Sequence, residues 1–229
     1  MEMKRLSFGR TTLQIIAALM MLCDHVAYVF VDSYGYEAIY ETMRVIGRIS
    51  FPIFCFLLVQ GFLTTSNIKK YILRILVFAI LSEIPFDLAF FGSSFYQGAQ
   101  NVMFTMLIGL LTLCGLKKYE TNMYFKVGIL ILGCLSAYWL HTDYSYMGVA
   151  LIVIFYMMRG NALSMIFWAA LLFFVDGGMQ FYAVLALPFC TQYSAEKEER
   201  RLPRYFFYAF YPVHLLVLWG IYIYIILFQ

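Results

Sequence analysis

Charged residues are scarce in this chain. Only 13% of its 229 residues are Asp, Glu, Lys or Arg, and the formal net charge is +3. A soluble domain usually carries about 25% charged residues. This shortage excludes a water-soluble enzyme and a disordered protein, and the small net charge excludes a nucleic-acid binder.

Cysteine pairs with the spacing of a metal site or redox motif are also lacking. The chain has no CxxC motif, and its cysteines lie in or beside apolar runs, where they are interpreted as small buried apolar residues. A disulfide-stapled secreted domain is therefore excluded, and no metal site is expected. The five cysteines are Cys23, Cys55, Cys114, Cys134 and Cys190.

Apolar residues dominate instead, at 63% of the chain. One domain of this length leaves roughly a third of its unfolded surface in water, so the excess cannot be buried in a core. We expect an all-α polytopic integral membrane protein, with residues 1–229 forming a single transmembrane domain and about nine spans (eight to ten) of about 20 residues. The apolar runs are 13–31, 46–63, 71–91, 102–116, 124–140, 146–158, 162–175, 181–190 and 205–228.

The basic residues orient this topology. If the N-terminus is cytoplasmic, all of the 16 Lys and Arg residues except Arg44 and Arg48 fall in inner segments, as the positive-inside rule requires. The first apolar run has no small-residue cleavage site after it, so we expect it to be retained as a helix. The sequence thus predicts a multi-pass protein of the cytoplasmic (inner) membrane with its N-terminus inside.

Polar residues interrupt the first span. Gln14 and His25 are eleven residues apart, which places them on one helical face with a rise of about 16 Å between them. Asp24 points about 100° away from His25, so it needs a partner from elsewhere, for which an arginine is the expected residue. Ionisable residues within spans are functional by default, and structural contacts between helices are the alternative for Asp24 and His25.

The second span contains both outer arginines. Arg44 and Arg48 are four residues apart on one face, and Arg48 is expected to lie below the interface, where a guanidinium must be paired or meet an anionic substrate group. A salt bridge with Asp24 or Glu83 is the structural alternative, and both roles are compatible. Pro52 is predicted to kink this helix and free a carbonyl group.

The third and fourth spans add further polar groups. Glu83 and Asp87 share a face, and Pro85 is expected to break the turn between them. Asn101, at the start of the fourth span, is either a hydrogen-bond donor of the site or a helix N-cap. Carboxylates, a histidine and arginines on three sequential helices predict a pocket that supplies a base, an orienting acid and an anion clamp.

Polar residues of the second half are fewer. His141 is interpreted as an interfacial residue, while Asp143 and Tyr144 beside it are expected to border a substrate mouth. His214, after Pro212 in the last span, is either an interhelical hydrogen-bond donor or a site residue. The concentration of ionisable groups in the first three spans favours an intramembrane enzyme over the alternative, a small proton- or ion-coupled transporter with broken helices in both halves.

These residues resemble a known family. The motifs DH, GRIxFP, SEIPFD, QNVxFT and YPxHL occur in order along nearly the whole chain, which resembles the TraX family, founded on the conjugative pilin N-acetylase. That family is in turn similar to the transmembrane acyltransferases, including acyltransferase family 3. The resemblance implies an acyltransferase that moves an acetyl group from cytosolic acetyl-CoA to an amine or hydroxyl of a pilin-like peptide, a glycan or a lipid.

The resemblance and the polar residues together define a candidate site. His25 is expected to act as base or to carry the acyl group, and Arg48 to stabilise an oxyanion. The transmembrane acyltransferases to which the family is similar have a basic residue in the first helix, eleven positions before the histidine, where this chain has Gln14. The resemblance therefore implies that Arg10, Lys69 or Arg74 meets the CoA phosphates instead. The candidate catalytic residues are His25, Asp24, Arg48 and Glu83, and the candidate substrate-binding residues are Gln14, Arg44, Asp87, Asn101, Asp143, Tyr144 and His214.

Overall fold

The structure is a computed structural model that describes residues 7–31, 36–197, 202–203 and 205–228. Within these ranges the chain is helical, with ten α-helices, a π-helical segment Ala27–Val31 that continues the first helix, and a 3₁₀ helix Gly178–Ala186. These described residues also form two isolated β-bridges. The α-helices are α1 (Arg10–Val26), α2 (Glu37–Gly47), α3 (Ser50–Thr64), α4 (Ile68–Phe91), α5 (Val102–Lys118), α6 (Met123–Trp139), α7 (Ser145–Met157), α8 (Ala162–Asp176), α9 (Leu187–Thr191) and α10 (Phe206–Phe228).

Each predicted apolar run is helical, but the second one is not a single helix. The run 46–63 covers the last two residues of α2 and nearly all of α3, which are separated by a turn at Arg48 and Ile49, and the sequence did not predict the rest of α2. Pro52 lacks the N–H group that would bond the carbonyl of Arg48, which accounts for a break at this point. The turn places Arg48 at the junction of two helices.

Two further predictions about helix continuity are wrong. Pro85 does not break a turn, because it lies inside the continuous helix α4, where it is buried. The eighth predicted run is not one α-helix, since the 3₁₀ helix passes into the five-residue helix α9. Pro188 in the first turn of α9 has a backbone geometry suited to starting a new helix rather than extending an old one.

Asparagine side chains begin four of the helices. Each accepts a hydrogen bond from a backbone N–H two or three residues later, which satisfies one of the free donors of the first turn. Polar residues at these points therefore end the loops and fix where the apolar helices start. The four caps are Asn67 of α4, Asn101 of α5, Asn122 of α6 and Asn161 of α8.

Helix α3 lies at the centre of the bundle. Eleven of its 15 residues are buried, and it contacts α1, α5 and α7 as well as the 3₁₀ helix and α9. Helix α10 packs mainly against α4 and also touches α1. The last helix is thereby brought beside the first, which no local sequence signal indicates.

The outer surface of the bundle is strongly apolar. Leu163 is 80% exposed and Trp139 is 76% exposed, and many other large apolar residues are similarly open. A soluble monomer rarely exposes apolar surface on this scale, whereas lipid accepts it. Within the described residues, three helical stretches are long and apolar enough to cross a membrane, Arg10–Val31, Glu37–Thr64 and Phe206–Phe228, and four shorter apolar helices accompany them.

At each end of the helical bundle, two segments that are distant in sequence pair through backbone hydrogen bonds. Phe8 pairs with the 192–194 segment, and its N–H lies 2.9 Å from the carbonyl oxygen of Gln192. Gln100 pairs in the same way with the 141–143 segment.

Several charged residues used to orient the chain lie outside the described residues, namely Lys4, Arg5, Asp32, Arg200, Arg201 and Arg204.

Candidate functional site

A cavity of about 360 Å³ lies at the end of the bundle where α1 finishes and α5 begins. Helices α1 to α5, α10 and the loop before α7 all contribute to its wall. Much of that wall is aromatic, with rings from Tyr28, Phe51, Phe54 and Phe90 among others. The polar groups that open into it are Asp24, His25, Arg44, Arg48, Ser50, His141, Thr142, Asp143 and Tyr144.

Asp24 binds both Arg44 and Arg48. Nη2 of Arg48 lies 2.9 Å from Oδ1 and 2.8 Å from Oδ2 of Asp24, and Nη1 of Arg44 lies 2.9 Å from Oδ2. This confirms that Asp24 pairs with arginine rather than with its neighbour His25. Two guanidinium groups share one carboxylate, so the group carries a net charge of +1 on a wall of the cavity.

Arg48 retains hydrogen-bonding capacity after this pairing. It is only 7% exposed, and its Nε is buried without a hydrogen-bond partner among the described residues. A buried unpaired donor on a charged group is costly, and such groups are usually satisfied by a ligand or an ordered water. Because Arg48 lines the cavity, its guanidinium places a positive charge there that suits an anionic or strongly polarised oxygen.

His25 and His214 form a direct pair. Nδ1 of His25 lies 2.7 Å from Nε2 of His214, and Nδ1 of His214 lies 2.7 Å from the carbonyl oxygen of Phe210, one turn earlier in α10. The edge of the His25 ring also meets the Phe90 ring, at a centroid distance of 5.1 Å. His25 lines the cavity, whereas His214 is buried behind it.

The loop before α7 forms part of the cavity wall in a strained backbone conformation. His141, Tyr144 and Ser145 have φ values of 50°, 60° and 43°, which non-glycine residues seldom adopt. Tyr144 stacks on Phe51 with ring centroids 3.7 Å apart, and the guanidinium of Arg48 lies 5.7 Å from the Tyr144 ring. Strain of this kind persists only where the surroundings fix the loop, and it is found most often at functional sites.

Backbone hydrogen bonds to α5 and its entrance fix this loop. The N–H of Gln100 donates to the carbonyl of His141 at 3.0 Å, and the N–H of Asp143 donates to the carbonyl of Gln100 at 2.8 Å. The hydroxyl of Thr105 donates to the carbonyl of Asp143. The wall that carries Asp143 and Tyr144 is therefore preorganised.

Asp143 is the titratable group of this loop. Its side chain lines the cavity, and the loss of solvation there raises its pKa to about 6, against the opposing effect of nearby Arg48. Asp143 is thus ionised at neutral pH and adds a negative charge facing the Arg44–Asp24–Arg48 group. It supplies the second carboxylate of the cavity.

The carboxylates of α4 are not in the cavity wall, although the sequence placed them in one pocket with His25. Glu83 accepts hydrogen bonds from both the backbone and the side chain of Asn101, and Asp87 accepts one from the N–H of Tyr96 at 2.8 Å. The 92–101 loop covers them because its own backbone donors need acceptors. Asn101 also caps α5 and donates to the carbonyl of Ala79 at 2.8 Å.

Gln14 is separated from the cavity along α1. Gln14 is half-buried. Ala18 and Met21 lie between Gln14 and His25 on the same helical face, and Met21, not Gln14, lines the cavity. The three basic residues expected near the CoA phosphates are Arg10, Lys69 and Arg74. Arg10 and Lys69 lie in the first turns of α1 and α4 and Arg74 in the second turn of α4, at the end of the bundle away from His25.

Sequence reasoning missed some residues of the wall. His141 was interpreted as interfacial, yet it opens into the cavity, as do Tyr28 and Tyr211. The only local signal was the polar HTDY sequence between two apolar runs. Within the ranges that the structure describes, no three His, Cys, Asp or Glu side chains are close enough to hold a metal ion.

Fold and site together define a helical membrane protein with a polar cavity that holds a histidine pair and an arginine–aspartate cluster. The chain belongs to the TraX family, whose model matches residues 9–222. It is also 29% identical over 241 residues to the "Probable fimbrial assembly protein FimC, serogroup H1" of Dichelobacter nodosus, with 94% of this chain and 96% of the relative covered. No solved structure matches the chain.

Proposed function

We propose that the protein is a membrane-embedded acyltransferase that moves an acetyl group from cytosolic acetyl-CoA to an acceptor amine or hydroxyl. The observation that carries this proposal is the placement of His25 in one cavity with Arg48, whose Nε is unpaired. Acyl transfer needs a base to take a proton from the acceptor and a donor for the oxyanion that forms on the carbonyl. Both groups line the same cavity.

His25 acts as the general base in this proposal. Its ring takes the proton from the acceptor N–H or O–H as the acceptor atom forms a bond to the thioester carbonyl carbon. The C–S bond then breaks, and His25 returns the proton to the leaving thiolate of CoA. The proton and the acyl group are thereby both accounted for without a second base.

Arg48 binds the oxygen on which negative charge develops. Asp24 holds the guanidinium through two hydrogen bonds, which orients its remaining donors before any substrate enters. Arg44 shares the carboxylate and keeps the local charge positive. Asp24 is therefore a positioning residue, and Arg48 is the residue that touches the reacting carbonyl.

The basic residues at the other end of the bundle suit the nucleotide part of acetyl-CoA. Arg10 and His25 are 15 residues apart in α1, a rise of roughly 22 Å. An extended pantetheine arm spans a distance of this order. Phosphates at the Arg10 and Arg74 end would then leave the acetyl group beside His25.

This arrangement agrees with a nine-span topology with both Arg10 and the 192–197 segment on the cytoplasmic side. The contact between Phe8 and Gln192 supports that placement, since both segments are expected inside, and the Gln100–His141 contact joins two expected outer segments. The cavity then lies toward the outer side of the cytoplasmic membrane. Acetyl groups would cross the membrane within the protein.

The acceptor is proposed from the family and the curated relative. A fimbrial assembly protein and a family founded on a pilin acetylase both suggest a role in pilus or conjugation processes. A pilin-like peptide with a free amine is the first acceptor to test, and a glycan or lipid hydroxyl is the second. The aromatic wall is compatible with an apolar peptide segment.

The test is an assay of purified protein in detergent with radiolabelled acetyl-CoA and either a pilin-like peptide or extracted envelope material. We expect thioester loss and transfer of label with wild-type protein, and loss of transfer with His25→Ala. Asp176→Asn, at the exposed end of α8, is the matched control and should retain full activity. Full transfer by a folded His25→Ala variant would overturn the proposal.

The same preparation tests the transporter alternative. Protein is reconstituted into liposomes, and proton flux is followed with a pH-sensitive dye. Flux without any thioester turnover would overturn the acyltransferase assignment. Thioester turnover without flux supports it.

A further inference from the structure

We infer that His214 is a positioning residue that holds His25 in one tautomer, with the proton on Nδ1 and a free lone pair on Nε2. The tautomer of His25 is inferred from geometry alone. Its catalytic consequence rests on the proposed function. Its starting point is the chain of contacts from the Phe210 carbonyl to His214 and from His214 to His25.

One acceptor-only group fixes the direction of both hydrogen bonds. The carbonyl oxygen of Phe210 has no proton to give, so Nδ1 of His214 must donate to it. In a neutral imidazole the other nitrogen is then unprotonated, so Nε2 of His214 is an acceptor. The bond from His25 therefore has Nδ1–H of His25 as its donor.

The ring geometry agrees with such a bond. The planes of the His25 and His214 rings are nearly parallel, at an angle of 8°. Their centroids are 4.9 Å apart, much farther than the 2.7 Å between the two nitrogens, as for rings that meet edge to edge. A hydrogen bond in the plane of both rings joins nitrogen to nitrogen in this way. The contact is therefore an N–H···N bond and not a face-to-face stack.

The surrounding helices keep the pair aligned. The Phe210 ring stacks on His214 with centroids 4.9 Å apart, and the Phe90 ring meets the edge of His25. His214 is 6% exposed, so water does not compete for its Nε2. Because α10 also packs along α4, the carbonyl, the two rings and Phe90 are held together by the same pair of helices.

The consequence concerns the reactive nitrogen of His25. With Nδ1 engaged, Nε2 is the only ring atom left to take a proton from an acceptor in the cavity. After that transfer the positive ring keeps its bond to His214, which stabilises the charged state. This is the orienting part that a carboxylate plays in other histidine sites, here supplied by a second imidazole.

Nitrogen-15 NMR of histidine-labelled protein measures the tautomer directly. The chain has only three histidines, so His25→Ala and His141→Asn variants assign the spectrum. We expect His25 in the wild-type protein to show a protonated Nδ1 and an unprotonated Nε2 at neutral pH. In His214→Phe, which removes the acceptor, we expect a mixture of both tautomers.

Kinetics supply the second measurement. Partners that orient a histidine typically contribute about 10- to 100-fold, so we expect His214→Phe to lower kcat by about that factor with little change in KM for acetyl-CoA. His214→Gln, whose amide oxygen accepts a hydrogen bond at about the position of Nε2, should recover most of the loss and the single tautomer.

The outcomes separate this inference from the proposed function. An Nε2-protonated His25 in wild-type protein, or a single unchanged tautomer in His214→Phe, overturns the inference even if His25 is essential. Full acetyl transfer by His25→Ala overturns the proposed function, while the NMR result still decides the tautomer. If His214→Phe does not fold, the wild-type spectrum and His214→Gln carry the test.

Discussion

Arg48 binds Asp24 through Nη2, which lies 2.9 Å from Oδ1 and 2.8 Å from Oδ2 of the carboxylate. The two residues are 7% and 8% exposed, and Arg44 joins the same carboxylate from the end of α2. The contact ties the turn between α2 and α3 to α1. It therefore shapes the cavity as well as charging it.

Removing the carboxylate should destabilise the fold. Asp24→Asn leaves two arginines close together without compensation, and breaking a buried ion pair on one side costs about 3–5 kcal/mol. For a chain of this length, we expect the Tm to fall by roughly 6 °C or more. Thermal unfolding of purified protein in detergent measures it, with Asp176→Asn as control; equal Tm values for the two variants would contradict the expectation.

The close packing of Gly47 against Asp24 provides a second prediction. A Cβ added at Gly47 would overlap the carboxyl group of Asp24, so Gly47→Ala must displace the ion pair. We expect a loss of about 1–3 kcal/mol in stability together with loss of acetyl transfer.

Gly128→Ala in α6 is the matched control for this change. Nothing lies within 4 Å of a Cβ built there, so alanine should be neutral or stabilise the helix by up to about 1 kcal/mol. Unfolding and transfer assays on both variants check the pair. If Gly47→Ala behaves like Gly128→Ala, the packing at Asp24 is looser than described.

The raised pKa of Asp143 predicts a pH-dependent stability. Its pKa moves from an ordinary value of 3.8 to about 6 in the folded protein, so the folded state binds more protons between these values. The contribution of Asp143 to stability is then greatest at low pH and falls as pH rises from about 4 to 6. Asp143→Asn removes this dependence.

The measurement compares Tm values of wild-type protein and Asp143→Asn from pH 4 to pH 8. We expect wild-type protein to lose stability relative to the variant up to about pH 6, and the difference to be constant above it. A difference that is flat over the whole range would show that Asp143 titrates as a solvated carboxyl group.

The asparagine caps offer a matched comparison. Asn122 is exposed and only caps α6, so Asn122→Ala should cost about 1 kcal/mol, as for other caps. Asn101 is fully buried and also bonds Glu83 and the Ala79 carbonyl, so Asn101→Ala leaves further groups unpaired and should cost several times more. Tm shifts in detergent decide it; equal shifts would mean that the Glu83 contact contributes nothing.

The sequence alone determined the helical architecture and the approximate position of most helices, but not of α2. Long apolar runs set the helices, and asparagines at the run boundaries set their first turns. It also predicted that Asp24 requires an arginine, because adjacent residues on a helix do not face each other. These properties depend on residues that are close in sequence, so the spacing of apolar and polar residues is enough to predict them.

Only the tertiary structure decided which polar groups share the cavity. Glu83 and Asp87 looked like site residues in sequence, but the 92–101 loop needs their oxygens for its backbone donors. His25 and His214 are 189 positions apart, and no spacing rule connects them. Their bond exists because α10 packs beside α1 and α4, and helix-to-helix packing is set by the whole shape of the apolar surfaces rather than by any short stretch of residues.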